Sequence, residues 1–198
     1  MAQQCETLRR QLGERYSPER SSLASFVIEY EEQRKIISGV IDLIGVLQKH
    51  VEAGRGVIFL GTVGTGKDHL LACLLYAATG ERISCAWANG QELFGSFRDA
   101  IDTGRRDEDI FRELCRPRVL ALSDPIPPVG DPGKWDIGNL YRLLDRRYRS
   151  LKSTWVSLNA SSEAEADARL SAPVFDRMRE GAAIFRCFWP SYREERRQ

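Results

Sequence analysis

The sequence predicts an α/β fold, a five-stranded parallel sheet between two layers of helices. Three observations predict it. Five short apolar runs recur along the chain: "VIFL" (57–60), "ISCAWA" (83–88), "VLALS" (119–123), "TWVSLN" (154–159) and "AIFRCF" (183–188). Stretches with helical apolar spacing separate them, near 67–79, 90–116, 136–151 and 162–180. Such alternation joins parallel strands through crossover helices that cover both faces of the sheet. Finally, the 198 residues, 42% hydrophobic and 29% charged, suit one globular domain with a full core.

Taken in order, the first fifteen or so residues are polar and charged and predict a short helix. In "SPERSSLASF" a turn falls at Ser17-Pro18, and a helix is expected to start near Ser21 or Ser22. Ile36, Ile37, Val40, Ile41, Ile44 and Leu47 recur at helical spacing, so that helix should run to about Glu52 and stop at Ala53-Gly54. The stretch 90–116 is broken at Thr103-Gly104, and 162–180 reads as two short helices. Ligands of such sheets bind at the carboxyl ends of the strands.

Composition narrows the function. A net charge of +1 gives no global field to recruit nucleic acid or membrane, so such contacts need a local patch. The five cysteines (Cys5, Cys73, Cys85, Cys115, Cys187) are scattered, without a C-x-x-C pair, and read as reduced thiols of a cytoplasmic protein. No metal-ligand spacing appears, and His50 and His69 have no evident Cys or His partners. The polar "MAQQCETLRRQLGERY" lacks the apolar core of a signal peptide, and no apolar run approaches a membrane span.

The chemistry concentrates in "GTVGTGKDH", Gly61 to His69, which fits G-x-x-x-x-G-K between an apolar run and an apolar-striped helix. Gly61, Gly64 and Gly66 allow the tight turn that aims N–H groups of Thr62, Val63 and Thr65 at phosphate oxygens. The helix beginning at Lys67 adds its positive dipole end, and Lys67 would reach the β and γ phosphates of ATP. Asp68 stands where such loops normally carry a hydroxyl that holds Mg²⁺. Two readings stand: Asp68 ligates magnesium, or it only favours the first helical turn. Asp124, after the third apolar run, either holds magnesium or opens an Asp-Pro turn. The next residue, Pro125, can neither accept a proton nor orient a water, so hydrolysis should be slow or should use a substitute such as Asp131 or Asp136.

These motifs together resemble the DnaC/IstB family of AAA+ ATPases, helicase loaders and transposition ATP-binding proteins. "GTVGTGKDHLL" resembles the family's phosphate loop, "WDIGNLYRLLDRRYRS" a helix ending in "RY" (Arg147-Tyr148), "TWVSLNA" its fourth strand, "VFDRM" its "RL" segment and "FWPSYR" its terminal "SYR" (Ser191 to Arg193). The resemblance spans about residues 20–193. It implies a P-loop NTPase three-layer sandwich with strand order 5-1-4-3-2 and no separate lid domain. The expected organisation is a charged helix or extension over 1–20, the ATP-binding domain over 21–193 and a tail over 194–198. It also implies that Gly61 to Lys67 hold ATP, that Asp124 holds magnesium, and that Asn159 senses the γ-phosphate. Arg177 would act as an arginine finger in a neighbouring subunit's site, making the active form a homo-oligomer. On spacing alone, Arg177 reads as a helix-surface ion pair with Asp176 or Glu180. Asp68 and Pro125 depart from the family's hydroxyl and acid.

The resemblance further implies a replicative helicase or a transposase as partner, and DNA as a substrate surface. A basic patch that could meet DNA comprises Arg142, Arg146, Arg147, Arg149 and Lys152, opposed by Asp145. Helical spacing spreads these residues over more than one face, so a solvated helix is the alternative.

Overall fold

A computed structural model describes residues 2–127 and 130–195. Helix α1 (Ala2–Leu12) is followed by α2 (Glu31–Gly45), α3 (Leu47–Glu52) and strand β1 (Val57–Gly61). Then come α4 (Lys67–Gly80), β2 (Cys85–Asn89), α5 (Gly90–Thr103), α6 (Asp107–Cys115) and β3 (Val119–Ser123). The remainder is α7 (Lys134–Arg149), β4 (Ser153–Asn159), α8 (Glu163–Leu170), α9 (Ala172–Arg179), β5 (Ala183–Cys187) and the short α10 (Tyr192–Glu195). The expected tail lies largely beyond the described residues.

All strand pairings are parallel, in the order β2-β3-β4-β1-β5, which is the expected sequence of strands. Strands β1 and β3 are buried along their whole length, as in a sheet covered on both faces. Period-two alternation divides β1 between two cores. Val57 and Phe59 pack with Val40, Leu71, Leu74 and Trp155, beneath α1, α2 and α4. Ile58 and Leu60 pack with Phe97, Phe111, Leu140 and Phe175, beneath α5, α6, α7 and α9. Leu8 and Leu12 of α1 belong to the first core. The register sets Gly61 beside Asn159 and Cys187, and Ser123 beside Ser157, so the carboxyl ends of four strands lie level.

The helix expected from Ser21 or Ser22 to Glu52 is corrected in two places. Ser22 and Ser25 do form a capping box, but it closes only a 3-10 turn at Leu23–Ser25. The chain then extends through Phe26, which packs edge-on against Trp189 and Tyr192 and tilted against His69. The helix proper begins at Glu31, where the Gln33 side chain accepts hydrogen bonds from the backbone N–H groups of Glu29 (2.6 Å) and Tyr30 (2.9 Å). Val46, with φ −119°, separates α2 from α3.

A second correction concerns Arg147, expected among the surface contacts to DNA. It is 0% exposed. Its guanidinium donates to the carbonyls of Leu114 (2.8 Å), Pro117 (3.2 Å), Arg118 (3.3 Å) and Ser153 (2.6 Å) and to the Thr154 hydroxyl (3.0 Å). It ties the end of α6 and the starts of β3 and β4 together. A phosphate cannot reach it.

Candidate functional site: the phosphate-loop cleft

At the carboxyl edge of the sheet the chain leaves β1 at Gly61, turns through 62–66 and enters α4 at Lys67. A side chain at Gly61 would collide with the Cys187 backbone of β5. Gly64 and Gly66 have φ +87° and +86°, backbone that disfavours any residue with a Cβ. A Cβ on Gly64 would overlap the Ser191 hydroxyl, and one on Gly66 would press on the Phe26 ring. Two further bonds brace the turn from the segment after β5. Trp189 Nε1 donates to the Thr65 carbonyl (3.1 Å), and the Tyr192 N–H donates to the Gly64 carbonyl (3.2 Å).

Lys67 is 5% exposed and donates to the Thr62 carbonyl at 2.6 Å, across the mouth of the loop. Burial lowers its pKa, while the charges of Asp68 and Asp124 work in the opposite direction. An anion held by the loop amides would relieve that burial cost, because a buried ammonium gains most from a nearby opposite charge. The described residues thus offer turned backbone amides, a helix N-terminus and one ammonium around a single point, an arrangement that suits phosphate.

The two acids converge on the same edge. Asp68 sits in the first turn of α4, and its Oδ1 accepts hydrogen bonds from Ser157 Oγ (2.6 Å) and Ser123 Oγ (3.1 Å). Asp124 follows β3 with φ +47°, an uncommon value for a side-chain-bearing residue. Its carboxylate accepts from the Asn159 backbone N–H at 3.3 Å and from the Asn159 side-chain amide. Burial raises the Asp124 pKa, partly offset by those two hydrogen bonds. Pro125 is buried against Gly90, whose missing side chain makes room for it. The whole forms a cleft of about 900 Å³ lined by Phe26, Lys67, Asp68, Asp124, Asn159 and Arg193, among others.

The other residues singled out from the sequence are engaged as follows. His69 borders the cleft, yet its Nε2 pairs with the Ser22 carbonyl (2.9 Å), fastening the N-terminal segment to α4. Asp131 and Asp136, named as substitute acids, do not line the cleft; each already pairs with an arginine, Arg169 (3.3 Å) and Arg98 (2.7 Å) respectively. Arg177 also lies outside the cleft, over the Tyr148 ring (4.1 Å to its centroid), with Glu180 at 2.8 Å and Asp145 at 3.6 Å. Arg142 and Arg146 flank the Phe111 ring and pair with Asp107 (3.8 Å) and Glu108 (2.7 Å). Acids of α6 therefore neutralise the front of the basic patch.

Ser123, Ser157 and Arg193 carry parts of the site for which the sequence suggested no role. Ser123 and Ser157 were legible only as hydroxyls inside otherwise apolar strands. Arg193 was legible only as the end of the "SYR" motif; it reaches the cleft because the start of α10 is bonded to the loop at Gly64.

Fold and loop together are those of a P-loop domain of the AAA+ type. Within that class the chain is DnaC/IstB-like, as its motifs suggested. It is 26% identical over 170 residues to the replicative helicase loader DnaC of Escherichia coli K12, an alignment covering 83% of this chain and 68% of the relative. It is 23% identical over 183 residues to the insertion sequence IS232 putative ATP-binding protein of Bacillus thuringiensis subsp. berliner, covering 89% and 69%. No family model matches the chain. Among solved structures, the DnaC helicase loader superposes with a TM-score of 0.77 at 21% identity, covering 88% of this chain and 99% of that one. The replication initiator DnaA bound to AMPPCP and single-stranded DNA gives 0.70 at 16%, covering 87% and 51%.

Proposed function

We propose that this protein binds ATP with Mg²⁺ and uses ATP-dependent assembly to load or remodel a replicative helicase on DNA, hydrolysing the nucleotide slowly. The observation that carries the reading is the braced loop of Gly61 to Lys67, with Asp68 and Asp124 beside it at one sheet edge. Gly61 to Lys67 take the triphosphate, and Lys67 exchanges the Thr62 carbonyl for phosphate oxygens. Magnesium is commonly held by one or two carboxylates plus substrate phosphates rather than by a protein cage. Asp68 and Asp124 fit that description. Among the described residues no group of three or more His, Cys, Asp or Glu could hold a metal. When bound, Mg²⁺ neutralises phosphate charge.

Asn159 is the sensor, and its amide would divide itself between Asp124 and the γ-phosphate. Arg177 serves the site of a neighbouring copy, which makes the working form a homo-oligomer. Pro125 removes the acid that would activate water, and neither Asp131 nor Asp136 replaces it from where they lie. DNA contacts would go to phosphates and be salt-sensitive; Arg142 and Arg146 must first part from their acids. The protein works in the cytoplasm; among the described residues no helix is long and apolar enough to cross a membrane.

The similarity to the IS232 protein supports a second reading, a transposition helper acting with a transposase on target DNA. Pro125 supports a third, a nucleotide-binding adaptor that acts by assembly without hydrolysis. Capture of a replicative helicase through residues 1–50 favours the first reading and capture of a transposase the second. ATP-dependent oligomers with background turnover favour the third. The central test is ATP binding and turnover by wild type, Lys67→Ala and Pro125→Glu. Lys67→Ala should abolish binding, and Pro125→Glu should raise turnover. Undiminished binding by Lys67→Ala would remove the basis of all three readings.

A further inference from the structure

We propose that Asp68 is a specificity residue that makes the cleft accept a triphosphate only as its metal complex. This rests on the nucleotide-binding reading above and adds a rule for what the site rejects. A loop with a neutral hydroxyl at this position can hold a triphosphate without its cation, since amides, helix end and lysine all favour the anion. Here a carboxylate occupies the first turn of α4. Its orientation is set from behind: Ser157 Oγ (2.6 Å) and Ser123 Oγ (3.1 Å) both donate to Oδ1. Among the described residues Oδ2 has no hydrogen-bond donor, and Asp68 lines the cleft together with Lys67.

The same edge holds Asp124, fixed by the backbone and side-chain amides of Asn159. Asp68 is hydrogen-bonded to Ser123, the residue immediately before Asp124, and both acids line the cleft. Two carboxylates therefore face the space a β,γ-phosphate pair would fill, opposed by Lys67 and Arg193. Without a cation the phosphates meet like charges in a partly enclosed cleft, where repulsion is less screened than at an open surface. With one, those carboxylates become ligands. The two serine hydroxyls prevent the simple escape, rotation of Asp68 away from the anion, because rotation would break both bonds. Metal and nucleotide must then bind with positive coupling, which is reciprocal by thermodynamic necessity.

The test is equilibrium binding of a fluorescent, non-hydrolysable ATP analogue, in Mg²⁺ and in EDTA, to wild type, Asp68→Asn and Asp68→Thr. Asparagine keeps an acceptor for both serines and removes the charge; threonine restores the usual hydroxyl. Wild type should bind about 100-fold more weakly in EDTA, within the usual range of such couplings. Asp68→Asn should tighten metal-free binding by about 10-fold and shrink the Mg²⁺/EDTA ratio accordingly. Should Asp68→Asn fold poorly, as melting without nucleotide would reveal, Asp68→Thr gives the same readout. An unchanged ratio in the variants, or equal weakening under both conditions, overturns the proposal and leaves Asp68 as a strut between α4 and the strand ends. Absence of wild-type binding under both conditions overturns the nucleotide reading as well.

Discussion

Arg147→Met should cost the fold far more than the loss of its neighbour Arg146. The guanidinium of Arg147 is fully buried, and burial lowers its pKa to about 10. It spends its donors on four carbonyls and one hydroxyl. Of these, the Arg118 carbonyl keeps another donor, the Ser153 N–H at 3.0 Å. Ser153 lies in the β3–β4 ladder, and all five acceptors lose the guanidinium. A buried polar group left unpaired costs about 1–3 kcal/mol. Removing the guanidinium also removes its own desolvation cost, which offsets part of the total. Breaking one side of a buried charged network typically costs about 3–5 kcal/mol, and that is the expected loss for Arg147→Met. In a domain this size it corresponds to a Tm drop of about 6–20 °C.

Arg146 pairs with Glu108 on the surface, so Arg146→Ala should cost about 0–1 kcal/mol. Urea unfolding of the two variants beside wild type reads the difference. Arg147→Lys serves as the intermediate case, because it keeps the charge and loses the planar fork, and it should fall between wild type and Arg147→Met. An Arg147→Met variant as stable as wild type, but defective in binding DNA, would refute the reasoning and return Arg147 to the surface patch.

Two further outcomes test the wiring. His50 is 8% exposed and its Nε2 donates to the Gly56 carbonyl at 3.0 Å; burial lowers its pKa from 6.5. Above pH 6.5 it is neutral in both folded and unfolded chains, and below it the unfolded chain takes up the proton first. Stability should therefore fall as pH drops through that value, and His50→Gln, measured by denaturant unfolding across pH, should flatten the decline. Arg177→Ala should cost about 1 kcal/mol of stability, since only its Glu180 partner is half-exposed while Arg177 and Asp145 are 23% and 24% exposed, yet abolish ATP-dependent oligomers in light scattering. Intact oligomers would leave Arg177 with only its contacts to Tyr148, Glu180 and Asp145.

The sheet was legible because its signals are local. Each strand is a short apolar run, and each crossover carries its own helical stripe, so five strands could be placed without knowing their neighbours. The order of those strands came from the family resemblance. The N-terminal segment was not legible. Ser-x-x-Ser at 22–25 closes a 3-10 turn with the same capping chemistry that would begin an α-helix. The choice is made at Phe26, which gains more from burial among His69, Trp189 and Tyr192 than from a helical position. Arg147 is a different failure, since its signal was present. It lies seven, four and three residues after Leu140, Leu143 and Leu144, all buried. That is the inward stripe of α7. Charge outweighed period in reading it, although a buried arginine is costly only when its donors lack carbonyls to meet.

The two departures from the family pattern, Asp68 and Pro125, bear on each other through charge. The family's loop carries a hydroxyl at the first position and an acid at the second, beside the acid at 124. This chain carries an acid at the first and none at the second. The number of carboxylates around the phosphate position is therefore unchanged at two, Asp68 and Asp124, so the field felt by a bound metal–nucleotide complex is broadly kept. Their placement is not. One carboxylate has moved from the end of β3, where it could polarise water, to the first turn of α4, where Ser123 and Ser157 hold it. Reversing only one departure should therefore leave the site with an unusual charge count, one carboxylate in Asp68→Thr and three in Pro125→Glu. The double variant Asp68→Thr/Pro125→Glu restores both count and placement. On the proposed reading it should turn over ATP faster than Pro125→Glu alone, because the third carboxylate of the single variant repels the phosphates it is meant to serve. Equal turnover by the single and double variants would show that the two positions act independently.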